Sequence, residues 1–283
     1  MTIEAKVLVD SISPAGVRLV TMQLKYNRFV HAELMTHRVF SRNTSSSRAI
    51  PVKTIIQRIK EEPAMPVYWG LNQKGMQAKE EASGELLEDI HDTWLGARDM
   101  MIEVAEYMMS EYNLHKQLVN RLLEPWSHIY AVVTATEWEN FFHLRRHPDA
   151  QPEIHALADA MWEAYSASSP VFVDYAQWHL PYVLPEDVER AGNEVGLLQK
   201  ISSARCARVS YKTHDGFVPK FEEDIRLHDD LLSGGHMSPL EHPATPLAGP
   251  KKFSSRYIFC GNFRGWKQYR KMIPGEAVFR PSQ

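Results

Sequence analysis

Residues 36–51, THRVFSRNTSSSRAIP, place three arginines, a histidine, an asparagine and a run of hydroxyl side chains within sixteen positions. This concentration of donors looks like an anion site, and the rest of the chain is organised around it. Arg38, Arg42 and Arg48 offer planar forks suited to phosphate oxygens. Thr44, Ser45, Ser46 and Ser47 are poor helix formers, which predicts backbone amides left available to an anion. Pro51 then opens the apolar-periodic run PVKTIIQRI, as proline does in a first helical turn, and a loop entering a helix N-terminus forms a phosphate cradle. Composition alone is equally compatible with a solvated Ser/Arg-rich loop.

The order of these residues resembles the signature of the flavin-dependent thymidylate synthases, RHRxxSxNxxSxRY. His37, Arg38, Ser41, Asn43, Ser46 and Arg48 match it, while Thr36 stands for the first arginine, which helps hold the flavin in that family, and Ala49 for the tyrosine. The resemblance extends back without gaps through VTMQLKYNRFVHAELMTHR. There Glu33 replaces a glutamine that lies near the nucleotide, although a solvent-facing helical glutamate would look the same.

At 283 residues and 44% apolar content the chain can bury a large core, and a net charge of −3 argues against general affinity for nucleic-acid backbones. Cys206 and Cys260 form no CxxC pair, which suits a reducing cytoplasm, and no apolar run is long enough to span a membrane. Neither GxGxxG nor GxxxxGK[ST] occurs, so neither a Rossmann site nor a P-loop is expected.

Residues 4–11 and 16–26 alternate apolar and polar around SPAG, which predicts a β-hairpin, and RFVHAELMTHR a short helix. Residues 60–80, rich in Pro, Gly and charge, read as a loop or insertion. Beyond it Leu87, Ile90, Trp94, Met101, Val104, Met108 and Tyr112 mark a long amphipathic helix. LHKQLVNRLLEPWSHIYAVVTATEWENFFHLRRH reads as two further helices around EPW, and Ile154, Leu157, Met161 and Tyr165 share one face of another, so the middle of the chain is expected to be helical. Residues 180–195 form a proline-bearing connector, Phe253 to Cys260 a strand, and NFRGWKQYRKM a basic helix that is either a solvated face or a source of phosphate contacts.

VTATEWENFFHLRRHPDAQPEI resembles the family segment that holds flavin and pyrimidine, which puts those roles on Asn140 and Arg145; an arginine that reaches the nucleotide phosphate from a neighbouring subunit falls on Arg121. His143 and His147, four apart, have metal-ligand spacing without an obvious third ligand, so no metal is expected. ISSARCARVSYKT, the helix FEEDIRLHDDLLSGGH and MSPLEHP are similar to the segment that precedes the signature in the family. Here it follows the helical block, so the chain resembles a circular permutant in which Ser210, His236, Ser238 and Glu241 take flavin-facing and catalytic positions. Ser238 and Glu241 also fit a helix N-cap pair.

The resemblance implies an α/β (α+β) fold, a mostly antiparallel sheet packed against a helical bundle, in one domain over 1–283 divided as 1–180, a connector 181–199, and 200–283. It implies a homotetramer with active sites between subunits, acting on a deoxypyrimidine monophosphate with FAD, NADPH as reductant and methylenetetrahydrofolate as carbon donor, and with neither nucleic acid nor membrane as partner. In that chemistry Arg145 would stabilise charge developing on the ring, Ser46, Ser47 and Glu33 would contact the nucleotide, Arg48 and Arg121 would clamp its phosphate, His236 would assist catalysis, and His37, Arg38, Asn140, Ser210, Ser238 and Glu241 would hold FAD. The expected reaction is dUMP to dTMP; the departures at Glu33, Thr36, Thr44 and Ala49 leave room for 5-hydroxymethylation of dUMP or dCMP, or for a silent nucleotide-binding protein on the same fold.

Overall fold

The computed structural model describes residues 3–192, 194–210, 220–248 and 255–278. Strands β1 (Glu4–Ile12) and β2 (Arg18–Asn27) form the expected antiparallel hairpin. Its turn depends on Gly16, whose φ of +72° few side chains tolerate and whose N–H donates to Ser13 O at 2.8 Å. The sheet grows outward from this pair: β4 (His128–Ala135) lies against β2 and β3 (Ser41–Thr44) against β4, both antiparallel, while the two-residue β5 (Val171–Phe172) pairs parallel to β1. The fold is therefore mixed α/β with a mostly antiparallel sheet, as expected.

Both faces of β4 are covered, which explains its near-continuous apolar run. One face carries Val20, Met22, Leu24 and Tyr26 with Ile129, Ala131 and Val133. Helices α1 (His31–Met35), α5 (Glu139–Arg145) and α6 (Pro152–Ala167) pack on it through Leu34, Phe141, Ile154, Leu157 and Met161. On the other face Val132 meets Cys206 and Val209, from the end of α8 (Val195–Ala207) and the turn after it. A second core joins α2 (Val52–Glu61), α3 (Glu85–Tyr112) and α4 (Lys116–Leu122) through Ile55, Ile59, Ile102, Val119 and Trp126. Among the described residues no helix is long and apolar enough to cross a membrane.

Four sequence readings need correction. HIYAVVTA is the strand β4, not part of a helical block; an apolar run buried on both faces has no period-2 pattern, and its β-branched Ile129, Val132, Val133 and Thr134 were the available signal. The connector contains a helix, α7 (Pro185–Ala191), followed after α8 by α9 (Phe221–Ser233). NFRGWKQYRKM is not a helix: β8 (Phe263–Arg264) and β9 (Trp266–Gln268) pair with β7 (Phe259–Cys260) and β6 (Ala244–Pro246), and a 3-10 turn follows at Tyr269–Met272. Trp266 is fully buried and donates its indole N–H to Val17 O at 3.0 Å, so this segment is anchored as an extended strap; of the strand expected over Phe253 to Cys260, residues 253–254 lie outside the described residues, Ser255–Tyr257 form a 3-10 turn, and Phe259–Cys260 is a strand. Finally α3 turns a different face inward, burying Ile102 and Ala105 while leaving Val104 and Tyr112 exposed.

Candidate functional site

The signature is a strand in its middle, and that decides which of its side chains meet. In β3 the residues pair as Ser41 with Thr134 and Asn43 with Val132, so Ser41 and Asn43 share the face covered by the C-terminal segment while Arg42 points the opposite way. The Arg42 guanidinium is engaged by its own loop, donating to the carbonyl oxygens of Met35, His37 and Phe40, so it is a fastener of the α1 exit and not a free anion fork. The run 44–47 is likewise partly engaged: Thr44 belongs to β3 and Ser45 N–H donates to Tyr130 O at 2.8 Å.

Arg145, the last residue of α5, reaches back to the helix that leads into the signature. Its Nε donates to His37 Nε2 at 2.9 Å, Nη1 to Glu33 Oε2 at 3.1 Å, and Nη2 to Thr36 Oγ1 at 3.3 Å. The donated hydrogen bond fixes His37 as the neutral tautomer with its proton on Nδ1. Burial, then Arg145 and Arg42, lower the His37 pKa to about 4.

Glu33, Arg121 and Arg145 line one open cleft of about 1380 Å³, with Phe29, Tyr68 and Trp94 among its apolar walls. Tyr68 and Met76 belong to the 60–80 loop, which therefore builds the cleft. Arg121 and Arg28 both hold Glu124, at 2.8 and 3.0 Å, and Ser47 donates to the same carboxylate oxygen at 2.9 Å. Arg121 thus lines the cleft of its own chain, beside the arginine from which the resemblance would separate it by a subunit boundary.

Arg38 and Glu241 line a second cavity of about 480 Å³, on the other side of Met35 and Phe40. Glu241 lies in the 3-10 turn Ser238–Glu241 and accepts from Ser41 Oγ at 2.9 Å. The Asn43 amide lies 3.2 Å from the Ser238 hydroxyl and 3.1 Å from His242 Nε2. Residues distant in sequence, 41–43 and 238–242, are therefore laced together within one chain. Asn140, Ser46, Arg48 and His236 line neither cavity. Arg48 and Asn140 are exposed and form no hydrogen bond or ion pair among the described residues, Ser46 is half-buried, and His236 is exposed at the exit of α9. Ser210 ends a 3-10 turn at Arg208–Ser210, and its side chain lies outside the described residues. Among the described residues no group of three or more His, Cys, Asp or Glu could hold a metal ion.

Sequence reasoning missed the polar line beneath this lacing. Ser11 Oγ, His179, Thr21 Oγ1, Thr134 Oγ1, His242 and the Asn43 amide follow one another at 2.7 to 3.1 Å across the sheet, and all but Asn43 are buried. Burial holds both histidines at a pKa of about 3, with His242 a second cause at His179. The one signal was His242 itself, directly after Glu241 in SPLEH.

These histidines set a pH dependence. His37, His179 and His242 stay neutral in the folded chain down to about pH 3 to 4, whereas in the unfolded chain they take a proton below about pH 6.5. The unfolded state then binds more protons, so stability is complete above about pH 6.5 and falls as the pH drops toward 4, by several kcal/mol in total. Urea midpoints between pH 7 and 4.5 should decline, and less steeply in His179→Gln. A wild-type midpoint flat across that range would contradict the assignment of neutral buried histidines.

A family model described as thymidylate synthase complementing protein matches residues 11–171. No curated protein sequence matches the chain. Among solved structures it is similar to Helicobacter pylori thymidylate synthase X with FAD and dUMP, at 16% identity over 52% of this chain and 67% of that one, TM-score 0.36. It is also similar to the Streptomyces cacaoi UMP/dUMP methylase PolB bound with 5-Br dUMP, at 15% identity over 58% and 90%, TM-score 0.47.

Proposed function

The chain belongs to the thymidylate synthase complementing protein family, and on that premise we propose that it is a flavin-dependent enzyme that adds a one-carbon unit to C5 of a deoxypyrimidine monophosphate, converting dUMP to dTMP. The observation that carries this reading is Arg145, held by Glu33 and His37 at the wall of a cleft large enough for a nucleotide. C5 becomes nucleophilic as negative charge develops on the pyrimidine ring, and a fixed guanidinium in a partly buried site stabilises that charge without reorganising. Neutral His37 keeps the guanidinium aimed, and Glu33 offers an acceptor to the ring N–H. Arg121 and Arg28, both already drawn to Glu124, are the cations nearest to hand for the 5′-phosphate.

The second cavity suits the phosphates of FAD in its donor chemistry: Arg38 is exposed and without an ion-pair partner among the described residues, and Arg270 and Lys271 line the same cavity. FAD held there and reduced by NADPH would supply the hydride that completes a methyl group from methylenetetrahydrofolate. The chain's own residues position and polarise, and Cys206, fully buried with its thiol pKa raised by burial, is unsuited to act as a nucleophile. Residues 200–243 act in this reading as the permuted flavin-facing segment, supported by the Ser41–Glu241 and Asn43–Ser238 contacts. The domain is single over 1–283, and the exposed Met100, Val104 and Tyr107 along α3 support association into a tetramer.

The purified protein should bind FAD and, with dUMP, methylenetetrahydrofolate and NADPH, release dTMP identified by mass spectrometry. A 5-hydroxymethyl product, or turnover of dCMP instead, would change the substrate or outcome while keeping the site. Failure to bind flavin or to oxidise NADPH in the presence of either nucleotide would overturn the proposal.

A further inference from the structure

We propose that the C-terminal strap completes a diphosphate-binding site on the Arg38 side of the signature, and that Glu276 is the internal anion that covers this site until a ligand displaces it. The inference deepens the flavin reading above and rests on it only for the identity of the natural ligand. The 480 Å³ cavity beside Arg38 is walled by Asn262, Gln268, Arg270 and Lys271, all from the strap and all outside the region matched to the family. The wall is rigid where it meets the signature. Asn262 Nδ2 donates to Val39 O at 3.0 Å, and the buried Gln268 donates to Ser41 Oγ at 2.9 Å.

The cations on this wall already hold an anion. A reversal at Gly275, with φ +70°, returns the chain so that Glu276 accepts from Arg270 Nε at 2.6 Å and from Lys271 Nζ at 2.5 Å. Arg270 Nη1 separately donates to Glu241 Oε1 at 2.6 Å, so its guanidinium is fixed at both ends. One carboxylate from outside the lining thus bridges two of the cavity's cations, the pair of donors that two phosphate oxygens would take, and a phosphate carries more charge and more acceptors. Lys271, then Arg270, hold the Glu276 carboxyl below the usual carboxylate range, as expected of a stand-in anion. The side chains are 14% exposed at Glu276, 26% at Arg270 and 34% at Lys271, so these pairs are partly desolvated, and the anion that displaces the carboxylate is one that offers the same donors more charge. With Glu276 displaced, Arg38, Arg270 and Lys271 face the cavity against the single carboxylate of Glu241, with Arg42, held by its own loop, also in the wall, an excess of positive charge suited to a diphosphate.

The test is direct titration of the full chain with inorganic pyrophosphate, FAD and riboflavin, comparing wild type, Glu276→Gln and Lys271→Gln. Glu276→Gln should bind pyrophosphate and FAD about fivefold tighter and Lys271→Gln about fivefold weaker, with riboflavin unaffected, the scale of one half-exposed charged hydrogen bond. Both substitutions lie at the cavity edge, and matched circular dichroism would confirm that the variants fold. If wild type binds pyrophosphate with this dependence but fails to bind FAD, the site stands and the flavin reading falls. If FAD binds yet neither FAD nor pyrophosphate responds to Glu276→Gln or Lys271→Gln, the site is overturned and the flavin reading is untouched.

Discussion

Arg145→Ala should fold and should turn over nucleotide about a hundredfold to a thousandfold more slowly, the loss seen when one preorganised donor is removed from developing charge. The guanidinium makes three side-chain contacts, to His37, Glu33 and Thr36, and no other described residue is positioned to replace it among them. Its absence also has a signature independent of activity. His37 loses one of the two cations that lower its pKa, so the imidazole should titrate above about 4, nearer its ordinary value, which NMR can follow. Arg145→Lys keeps the charge but not the fork, and should recover only part of the rate. Turnover within a few-fold of wild type in the alanine variant, or an unmoved His37, would remove Arg145 from the centre of the mechanism.

Arg205→Met is the change expected to damage stability most. The Arg205 side chain, 3% exposed, donates to Asp187 at 2.5 and 2.8 Å, to Asp224 Oδ2 at 2.8 Å and to Tyr182 O at 2.7 Å. Asp224 is fully buried and also held by Arg208 at 2.9 Å. Burial raises the Asp224 pKa even though Arg205 and Arg208 both pull it down, so the ion pairs do not fully offset the desolvation of the carboxylate. Removing Arg205 alone leaves Asp187 without its main partner and Asp224 short of one. That should destabilise the fold by about 3–5 kcal/mol and lower the melting temperature by on the order of 10 °C. The triple variant Arg205→Met, Asp187→Leu, Asp224→Leu should recover most of the loss, because the harm comes from uncompensated charge. A triple variant no more stable than the single would place the contribution in the ion pairs themselves.

What the sequence made legible follows from how local each signal was. The hairpin, α2 and α6 were readable because period and caps act within a few residues, and Pro51 and the Ile154, Leu157, Met161 stripe carried them. Arg145 and Glu33 were legible only through the order of residues around them, and their meeting in one cleft depends on how α5 closes on α1, which no local pattern encodes. β4 was hidden by burial on both faces. The strap was hidden by composition: NFRGWKQYRKM has enough charge to imitate an amphipathic helix, yet the closely spaced Gly261 and Gly265, both at positive φ, break any helical run and turn it into short strands. The buried line from Ser11 to His242 was out of reach because its members come from five separate segments.

The signature's alternation also acts as a reading frame. Because β3 is a strand, Ser41 and Asn43 face the C-terminal segment while the Arg42 between them is turned to the exit of α1, so the spacing SxN records a pleat and not a loop. Single-residue insertions before Ser41 or after Thr44 would shift the chain around the strand and could be absorbed by the turns. The same insertion between Ser41 and Asn43 would put these two residues on opposite faces, so that the Ser41–Glu241 and Asn43–Ser238 contacts could not both form. Length variation in relatives of this chain should therefore be confined to the strand's flanks.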